Sequence, residues 1–220
     1  MQSNELPSAR LRQLLLNAML PMAAERGWNH AALRSAALEA GLDEGECALA
    51  APRGAIDVID AFAAQGDAKM LEALEGQGPL PTKIREKVTQ AVWLRLMALE
   101  MDREAVRRSL PILALPQNAA DGVRLGWRTA DCIWRWLGDQ STDGNYYSKR
   151  AILSAVHAST LAVWLADDSA GFARTRSFLE ARIENVMQFE KLKARWREAP
   201  SIGEALAGTL GSLRYRWKGD

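Results

Sequence analysis

Apolar side chains recur at steps of three and four residues along most of the chain, a pattern typical of amphipathic α-helices. In the first such segment, Leu11, Leu15 and Met22 fall on one face, and Gly27 follows as a C-terminal cap. Clusters of Gly, Pro, Asp and Asn separate the apolar segments. The pattern predicts nine or ten helices, at Ser8–Arg26, His30–Ala40, a short segment after Asp43, Pro52 to the break at Gly76–Pro81, Thr82–Met101, Asp102–Leu113, Gln117–Leu137, Tyr146–Ala166, Ser169–Glu198 and Ser201–Trp217.

Composition supports the same fold class. Ala and Leu supply 66 of the 220 residues, whereas Val, Ile and Thr supply 23. Ala and Leu favour helix interiors and β-branched residues favour strands, so we expect an all-α fold. The stretch Gly76–Pro81 is the one predicted boundary. It would separate an N-terminal unit (residues 1–75) from a larger bundle (76–198), which a C-terminal tail (199–220) follows.

Charge and cysteine content exclude several classes of protein. The 28 basic and 27 acidic residues give a net charge of +1, unlike a strongly basic nucleic-acid binder or an acidic disordered tail. The longest apolar run, Ile152–Ala166, is interrupted by polar residues, so we expect no membrane span. Residues 1–12 lack the apolar stretch of a secretory signal, so we expect a cytoplasmic protein. Cys47 and Cys132 have no second ligand at metal spacing, so we expect neither a disulfide scaffold nor a metal site.

The N-terminal segments follow the layout of a helix-turn-helix and resemble a TetR-type regulator, with turns at Gly27 and Gly41 before a short third helix. The segment in recognition position begins Asp-Glu-Gly-Glu at residue 43. From residue 27 to residue 67, two arginines accompany seven carboxylates, a local charge of −5. Because DNA binding requires cations near phosphates, we expect this degenerate unit not to bind nucleic acid. A simpler interpretation of the same residues is that Asp43 caps a helix and the other acids are solvated.

Residues 138–150, with the sequence GDQSTDGNYYSKR, join two long apolar helices. The glycines and Asx residues of this segment account for a turn and a helix cap. They do not account for Tyr146 and Tyr147, because adjacent side chains on a helix point about 100° apart and at least one then faces outward. An exposed tyrosine beside Lys149 and Arg150 is typical of an interface anchor.

This segment, continued by Ala151–Leu153 and Trp164–Ser169, resembles the accessory family of ubiquinone (coenzyme Q) biosynthesis, the ninth protein of the coenzyme Q series. The resemblance covers residues 8–196 and implies a TetR-like fold that has lost DNA binding. It also implies a homodimer formed through the last long helices and an isoprenoid quinone lipid held in the larger domain.

The same resemblance implies a partner, the di-iron demethoxyubiquinone hydroxylase, to which the protein presents quinone precursors. Many relatives carry Trp-Tyr where this chain carries Tyr-Tyr, so we expect weaker packing at that position. The partner-binding residues expected by position are Asp143, Tyr146, Tyr147, Lys149 and Arg150.

Large apolar residues on the central helices are the candidates for lining a lipid site, since aromatic and Met side chains often line tunnels between helices. Such residues also fill ordinary cores, and the pattern alone does not separate the two interpretations. The predicted lipid-binding residues are Trp93, Leu96, Met97, Met101, Leu113, Trp127, Trp134 and Trp164.

Apolar residues of the tail are spaced by three and four, so a helix would gather them into one stripe with cations at its end. This arrangement suits an anionic bilayer surface, and docking on the bundle or on a dimer partner is the alternative. We expect a peripheral protein on the inner face of a bacterial membrane, or on the matrix side in a mitochondrion. The predicted membrane-binding residues are Ile202, Leu206, Leu210, Leu213, Arg214, Arg216 and Trp217.

No pattern of catalytic residues emerges from the sequence. Neither His30 nor His157 has an acid placed to orient it, and His157 is interpreted as a core or dimer-face residue. The chain lacks a phosphate-binding loop and a Glu-x-x-His pair for a di-iron centre. We therefore expect no catalytic residue, metal or cofactor, and a protein that positions a lipid. The alternatives are a ligand-responsive TetR-type transcription regulator and an adaptor without a ligand.

Overall fold

The computed structural model of the 220-residue chain describes residues 6–78, 81–141 and 144–198. These residues form helices and turns without a strand, which confirms the all-α prediction. They belong to two compact units, one up to Glu180 and one from Ala181 onward. The α-helices are α1 (Pro7–Arg26), α2 (His30–Glu39), α3 (Glu44–Ala50), α4 (Ala55–Glu75), α5 (Ile84–Met97), α6 (Arg103–Leu113), α7 (Ala119–Trp136), α8 (Gly144–Leu165) and α9 (Ala173–Glu198).

Local sequence signals set the ends of the first three helices. Gly27 follows α1 with a φ of 83°, a conformation that glycine adopts without strain. The Asn29 side chain caps α2 by accepting a hydrogen bond from the backbone N–H of Ala32 (2.9 Å). Asp43 and Glu46 form a reciprocal capping box at the start of α3, at 2.8 and 3.0 Å. The prediction that Asp43 caps a helix is therefore confirmed.

The first helices share a core with α6. Leu15, Leu16 and Met19 of α1 are fully buried. Trp28, in the turn after α1, is also buried and its indole N–H donates to the carbonyl of Ala105 on α6 (2.8 Å). This hydrogen bond satisfies the polar atom of a large core residue, and it ties the helix-turn-helix segment to the bundle.

A row of ion pairs joins α4 to α5 and α7, and we call it the α4 ion-pair row. Asp57, Asp60 and Asp67 lie on one face of α4 because they are spaced by three and seven residues. They are paired, so the interpretation of these acids as solvated is wrong. The pairs are Arg53–Asp57 (2.8 Å), Arg53–Asp121 (3.1 Å), Arg124–Asp121 (3.0 Å), Arg124–Asp60 (3.1 Å), Arg128–Asp60 (2.5 Å), Arg128–Asp67 (3.1 Å) and Arg95–Asp67 (2.6 Å).

Two of the sequence predictions fall outside the described residues. These are the helix predicted for Ser201–Trp217, which carries all of the predicted membrane-binding residues, and the partner-binding candidate Asp143. In the part of the chain that the structure describes, no helix is both long enough and apolar enough to cross a membrane.

Candidate functional site

Helices α4 to α8 enclose a mainly apolar cavity of 390 Å³ within the unit that ends at Glu180. At its rim, Val123 is 72% exposed, and Ala114 and Ala119 are also exposed, so the cavity opens to the surface beside the α6–α7 turn. The lining residues are Ile59, Phe62, Ala63, Arg95, Leu99, Val106, Ser109, Leu110, Leu113, Ala114, Ala119, Gly122, Val123, Leu125, Gly126, Thr129, His157, Ala158 and Leu161.

Two glycines of α7 contribute to the open space of this cavity. Gly122 and Gly126 are one helical turn apart and both line the cavity. A Cβ atom on Gly122 would lie 3.5 Å from the nearest atom, the carbonyl oxygen of Leu113, and one on Gly126 would lie 3.9 Å from Ser154. Glycine in a helix interior costs about 1 kcal/mol relative to alanine, so the absence of side chains here lowers the stability of α7.

Arg95, Thr129 and His157 form a buried polar part of the lining, which we call the inner wall. Arg95 and Asp67 are almost fully buried and form an ion pair with an Nε–Oδ1 distance of 2.6 Å. The Thr129 hydroxyl donates to the same carboxylate oxygen (2.8 Å), and Arg128 donates to the other (3.1 Å). Removing one member of a buried pair costs roughly 3–5 kcal/mol, so this cluster fixes the shape of the inner wall.

His157 of α8 also lines the cavity, and its buried Nε2 atom has no hydrogen-bond partner among the residues that the structure describes. Burial first, and then the charge of Arg95, lower the pKa of His157 to about 4. The imidazole is therefore neutral at pH 7. His157 is buried, as its interpretation as a core residue predicts. The sequence did not indicate that it lines a cavity.

We expect the free energy of unfolding to decrease as the pH falls from about 6.5 to about 4, by up to about 3 kcal/mol. In that window the unfolded chain binds a proton at His157 that the folded chain, with its depressed pKa, does not bind. Urea unfolding of the wild type and of His157→Leu across this window measures the effect. An equal decline in both proteins would contradict the assignment to His157.

Among the predicted lipid-binding residues, Leu113 lines the described cavity. The structure places the other seven elsewhere. Trp127 and Trp134 lie seven residues apart on α7, on a different face from Gly122 and Gly126, and both contact the start of α8.

The remaining five candidates lie on or near α5, in the segment after it, or on α8. Met101 is 96% exposed, and Leu96 and Trp164 are fully buried in packed surroundings. Met97 packs against the core, and the Trp93 ring has the Arg176 guanidinium 5.1 Å from its centre. These residues were predicted because of their size, whereas the cavity depends on small residues and on which face of each helix points inward.

Three rings form a surface cluster, Trp127, Tyr146 and Tyr147, which we call the aromatic patch. Tyr146 and Tyr147 are in edge-to-face contact with ring centres 5.1 Å apart. Trp127 lies 6.4 Å from Tyr146 and 6.1 Å from Tyr147. Tyr147 is 64% exposed, whereas Tyr146 is partly buried. One tyrosine of the pair therefore faces outward, as the helical spacing predicts.

A buried arginine supports the aromatic patch from below. The Arg150 guanidinium lies 3.5 Å from the centre of the Tyr146 ring and donates to Asp131 (2.6 Å) and Asp139 (3.2 Å). Arg150 is only 1% exposed, so the expectation that it offers a cation to a partner is corrected. Its two carboxylate partners were not anticipated from the sequence, because nothing in their spacing from residue 150 marks them.

Lys149 holds the loop before α8. Its ammonium group donates to Asp139 (2.6 Å) and to the Ser141 hydroxyl (2.8 Å). The hydrogen bond from Lys149 first, and then those from Ser141 and Arg150, lower the pKa of Asp139 to about 2. The backbone carbonyl of Lys149 accepts from the Trp134 indole (3.2 Å). Trp134 and Lys149 therefore join α7 to the loop and to α8.

The chain is similar to known proteins along the helices that carry the cavity and the aromatic patch. A family model described as COQ9 matches residues 119–190. The rat and human proteins named "Ubiquinone biosynthesis protein COQ9, mitochondrial" are each 30% identical to the chain over 211 residues, which is 92% of its length. The chain belongs to the COQ9 family. It spans 66% of the rat protein and 65% of the human protein, just under two thirds of each.

The COQ9 family match includes α7, the aromatic patch and α8. A more distant relative, the COQ9 protein of Drosophila melanogaster, is 25% identical over 83% of the chain and 57% of its own length. Among solved structures, a TetR transcriptional regulator from Nitrosomonas europaea aligns with a TM-score of 0.64 at 20% identity, covering 80% of this chain and 97% of the regulator. That likeness confirms the TetR-like fold.

Proposed function

We propose that the chain is a non-catalytic accessory protein of ubiquinone biosynthesis that binds a prenylated quinone intermediate and presents it to the demethoxyubiquinone hydroxylase. The observation that carries the proposal is the open, mainly apolar cavity of 390 Å³ in a member of a family named for ubiquinone biosynthesis. Small-molecule sites occupy about 300–1,000 Å³, so this volume suits a ring and a short length of its chain.

The cavity wall supports binding rather than chemistry. Ser109 carries a lining hydroxyl of the kind that acts as a nucleophile in enzymes. This hydroxyl donates to the carbonyl of Val106 in its own helix (2.8 Å). The buried carboxylate behind the inner wall, Asp67, is occupied by Arg95, Arg128 and Thr129. Nucleophilic catalysis would require a free base beside such a hydroxyl.

Helix α7 links the lipid site to the proposed partner site. One face of it carries Gly122 and Gly126 on the cavity, and another carries Trp127 in the aromatic patch. A hydroxylase that docks on Trp127, Tyr146 and Tyr147 would therefore lie against the helix that forms one wall of the lipid site. An exposed aromatic group beside a polar rim is the composition of a protein interface.

The proposal includes a homodimer formed through the last long helices and a peripheral position on the membrane that contains the quinone. The relatives in rat and human are named as mitochondrial proteins. The sequence of the tail supports membrane contact, since a helix there would gather Leu206, Leu210, Leu213 and Trp217 into one stripe near Arg214 and Arg216.

Removal of residues 199–220 is expected to reduce flotation of the protein with anionic liposomes without changing its dimerisation. Each cation near an anionic surface contributes about 1 kcal/mol, so replacing Arg214 and Arg216 by glutamine should give a partial loss. Flotation assays on the full chain, the truncation and the double variant measure the difference. Undiminished flotation of the truncated protein would refute the role of the tail.

The alternative function, a DNA-binding regulator, is not favoured by the described surface. The likeness to the regulator from Nitrosomonas europaea concerns the fold alone. Helix α3, in the recognition position, carries Glu44 and Glu46 in its first turn. Arg53, in the turn before α4, is engaged by Asp57 and Asp121. This segment lacks the concentration of cations that phosphate contacts require.

The proposal is tested by extracting the protein, purified without detergent, with organic solvent and identifying the lipids by mass spectrometry. A prenylated quinone precursor in the extract supports the carrier function. Protein that contains no lipid and cannot be loaded with one would favour an adaptor without a ligand.

A further inference from the structure

Two polar atoms on the cavity lining residues have no hydrogen-bond partner within the described residues: Nη1 of Arg95 and Nε2 of His157. Both side chains are more than nine-tenths buried, with exposures of 3% and 8%. Buried polar groups in proteins are almost always paired, because an unsatisfied one loses its hydration without compensation. Two such atoms on residues that line one cavity indicate a ligand that supplies the missing hydrogen-bond partners.

The position of the Arg95 guanidinium is fixed on its other sides. Its Nε donates to Asp67 (2.6 Å) and its Nη2 donates to the carbonyl of Ala63 (2.9 Å). Nη1 lies over Gly66, where an added Cβ atom would be only 2.5 Å away. The absence of a side chain at Gly66 is therefore what allows the guanidinium to lie in this place.

The charges around the inner wall already balance. The α4 ion-pair row contains four arginines and four aspartates, from Arg53 at one end to Arg95 at the other. His157 adds no charge at pH 7, because burial lowers its pKa to about 4. An anionic head group would therefore find no unpaired cation here, and burying its charge without one would cost free energy. A neutral acceptor oxygen carries no such penalty.

We propose that Arg95 and His157 form the head-group site of the cavity and bind a neutral carbonyl or ether oxygen, as on a substituted quinone ring. The inference rests on the lipid-binding function proposed above and adds the chemical class of the head group. The Arg95 Nη1–H donates to the oxygen, and the neutral imidazole of His157 makes a second hydrogen bond to the same ring.

The experiment compares three probes with chains of equal length: decylubiquinone, decylbenzene and 4-decylbenzoate. The affinity of each is measured by its displacement of the neutral fluorescent probe N-phenyl-1-naphthylamine from the purified full-length protein. We expect decylubiquinone to bind about tenfold more tightly than decylbenzene, the effect of one good hydrogen bond to a charged donor. We expect 4-decylbenzoate to bind no better than decylbenzene.

Two variants test the residues separately. Arg95→Lys keeps a cation for Asp67 and removes Nη1, and His157→Leu removes the imidazole without removing a charge. Each should weaken decylubiquinone about tenfold and change decylbenzene less than about twofold. Thr160→Val is the matched control, since its buried hydroxyl donates to Val156 on the same helix and does not line the cavity. It should affect neither probe.

The outcomes separate the two proposals. If neither decylubiquinone nor decylbenzene displaces the fluorescent probe from the wild-type protein, the lipid cavity itself is refuted. If it binds both equally, or if neither variant discriminates between them, the head-group site is overturned while the lipid cavity stands. Tighter binding of 4-decylbenzoate than of decylubiquinone would overturn the inference that the head group is neutral.

Discussion

Replacing both Tyr146 and Tyr147 by alanine is expected to abolish capture of the demethoxyubiquinone hydroxylase and to leave the helical circular dichroism unchanged. Tyr147 is 64% exposed and rests on Tyr146 and Trp127, so it presents a rigid aromatic surface. Aromatic anchors at the centre of an interface cost about 2 kcal/mol or more each when truncated. Loss of two would weaken binding on the order of a thousandfold.

Surface plasmon resonance with immobilised hydroxylase measures this loss. The single variant Tyr147→Ala isolates the exposed ring, because Tyr146 also packs on the buried Arg150 and its removal could disturb that contact. Ser148→Ala is the matched control, since its hydroxyl donates to the carbonyl of Asn145 in its own helix turn (3.3 Å). Binding of the double variant with wild-type affinity would show that the aromatic patch is not the docking surface.

Filling the cavity from α7 is expected to remove bound lipid without destabilising the protein. In the variant Gly122→Leu with Gly126→Leu, two isobutyl groups enter a hollow whose walls lie 3.5 Å or more from the new Cβ atoms. Each substitution also removes the helix-interior penalty of glycine, about 1 kcal/mol. The melting temperature should therefore be equal to or above that of the wild type, while displacement of N-phenyl-1-naphthylamine by decylubiquinone is lost.

The alanine pair, Gly122→Ala with Gly126→Ala, is the control for this prediction. It brings the same helix propensity with far less added volume, so it should keep most of the lipid binding. Wild-type lipid binding by the leucine pair would place the lipid somewhere other than this cavity. A strongly destabilised leucine pair would show that the space beside α7 is smaller than the structure indicates.

Much of the fold could be predicted because it depends on local signals. The helical spacing in residues 8–26, the turn at Gly27 and the cap at Asp43 each act within a few residues, and each is found where the sequence predicts it. The end of α5 at Met97 differs from the predicted end at Met101. A 3₁₀ turn at Glu100–Asp102 follows, and apolar spacing does not distinguish it from an α-helical turn.

The candidate site could be predicted only in part, because a cavity is defined by side chains that are missing. Large residues such as Trp127 and Trp164 were predicted to contact the lipid, and in the structure each packs against other aromatic rings. The cavity instead depends on Gly122 and Gly126, which in sequence look like weak points of a helix. The aromatic pair was identified from its helical spacing and its basic neighbours, and the family resemblance added its proposed partner. Its support by Arg150 and Asp131 required the packing of α7 against α8.

Polar groups of the inner wall were the hardest to anticipate. Asp67 lies 28 residues from Arg95 and 62 residues from Thr129, so no local pattern joins them. From the sequence, Asp67 was interpreted as one of the acids that oppose DNA binding. The structure gives it a different role, since it holds the guanidinium on the wall of the cavity.

The most direct test is the molar ratio of prenylated quinone to protein in organic extracts of detergent-free preparations, determined by mass spectrometry for the wild type and for the leucine pair at Gly122 and Gly126. We expect a substantial fraction of wild-type molecules to carry one quinone lipid each, and almost none of the leucine pair to do so. Equal amounts of quinone in both proteins, or none in a wild type that also resists loading, would contradict this expectation.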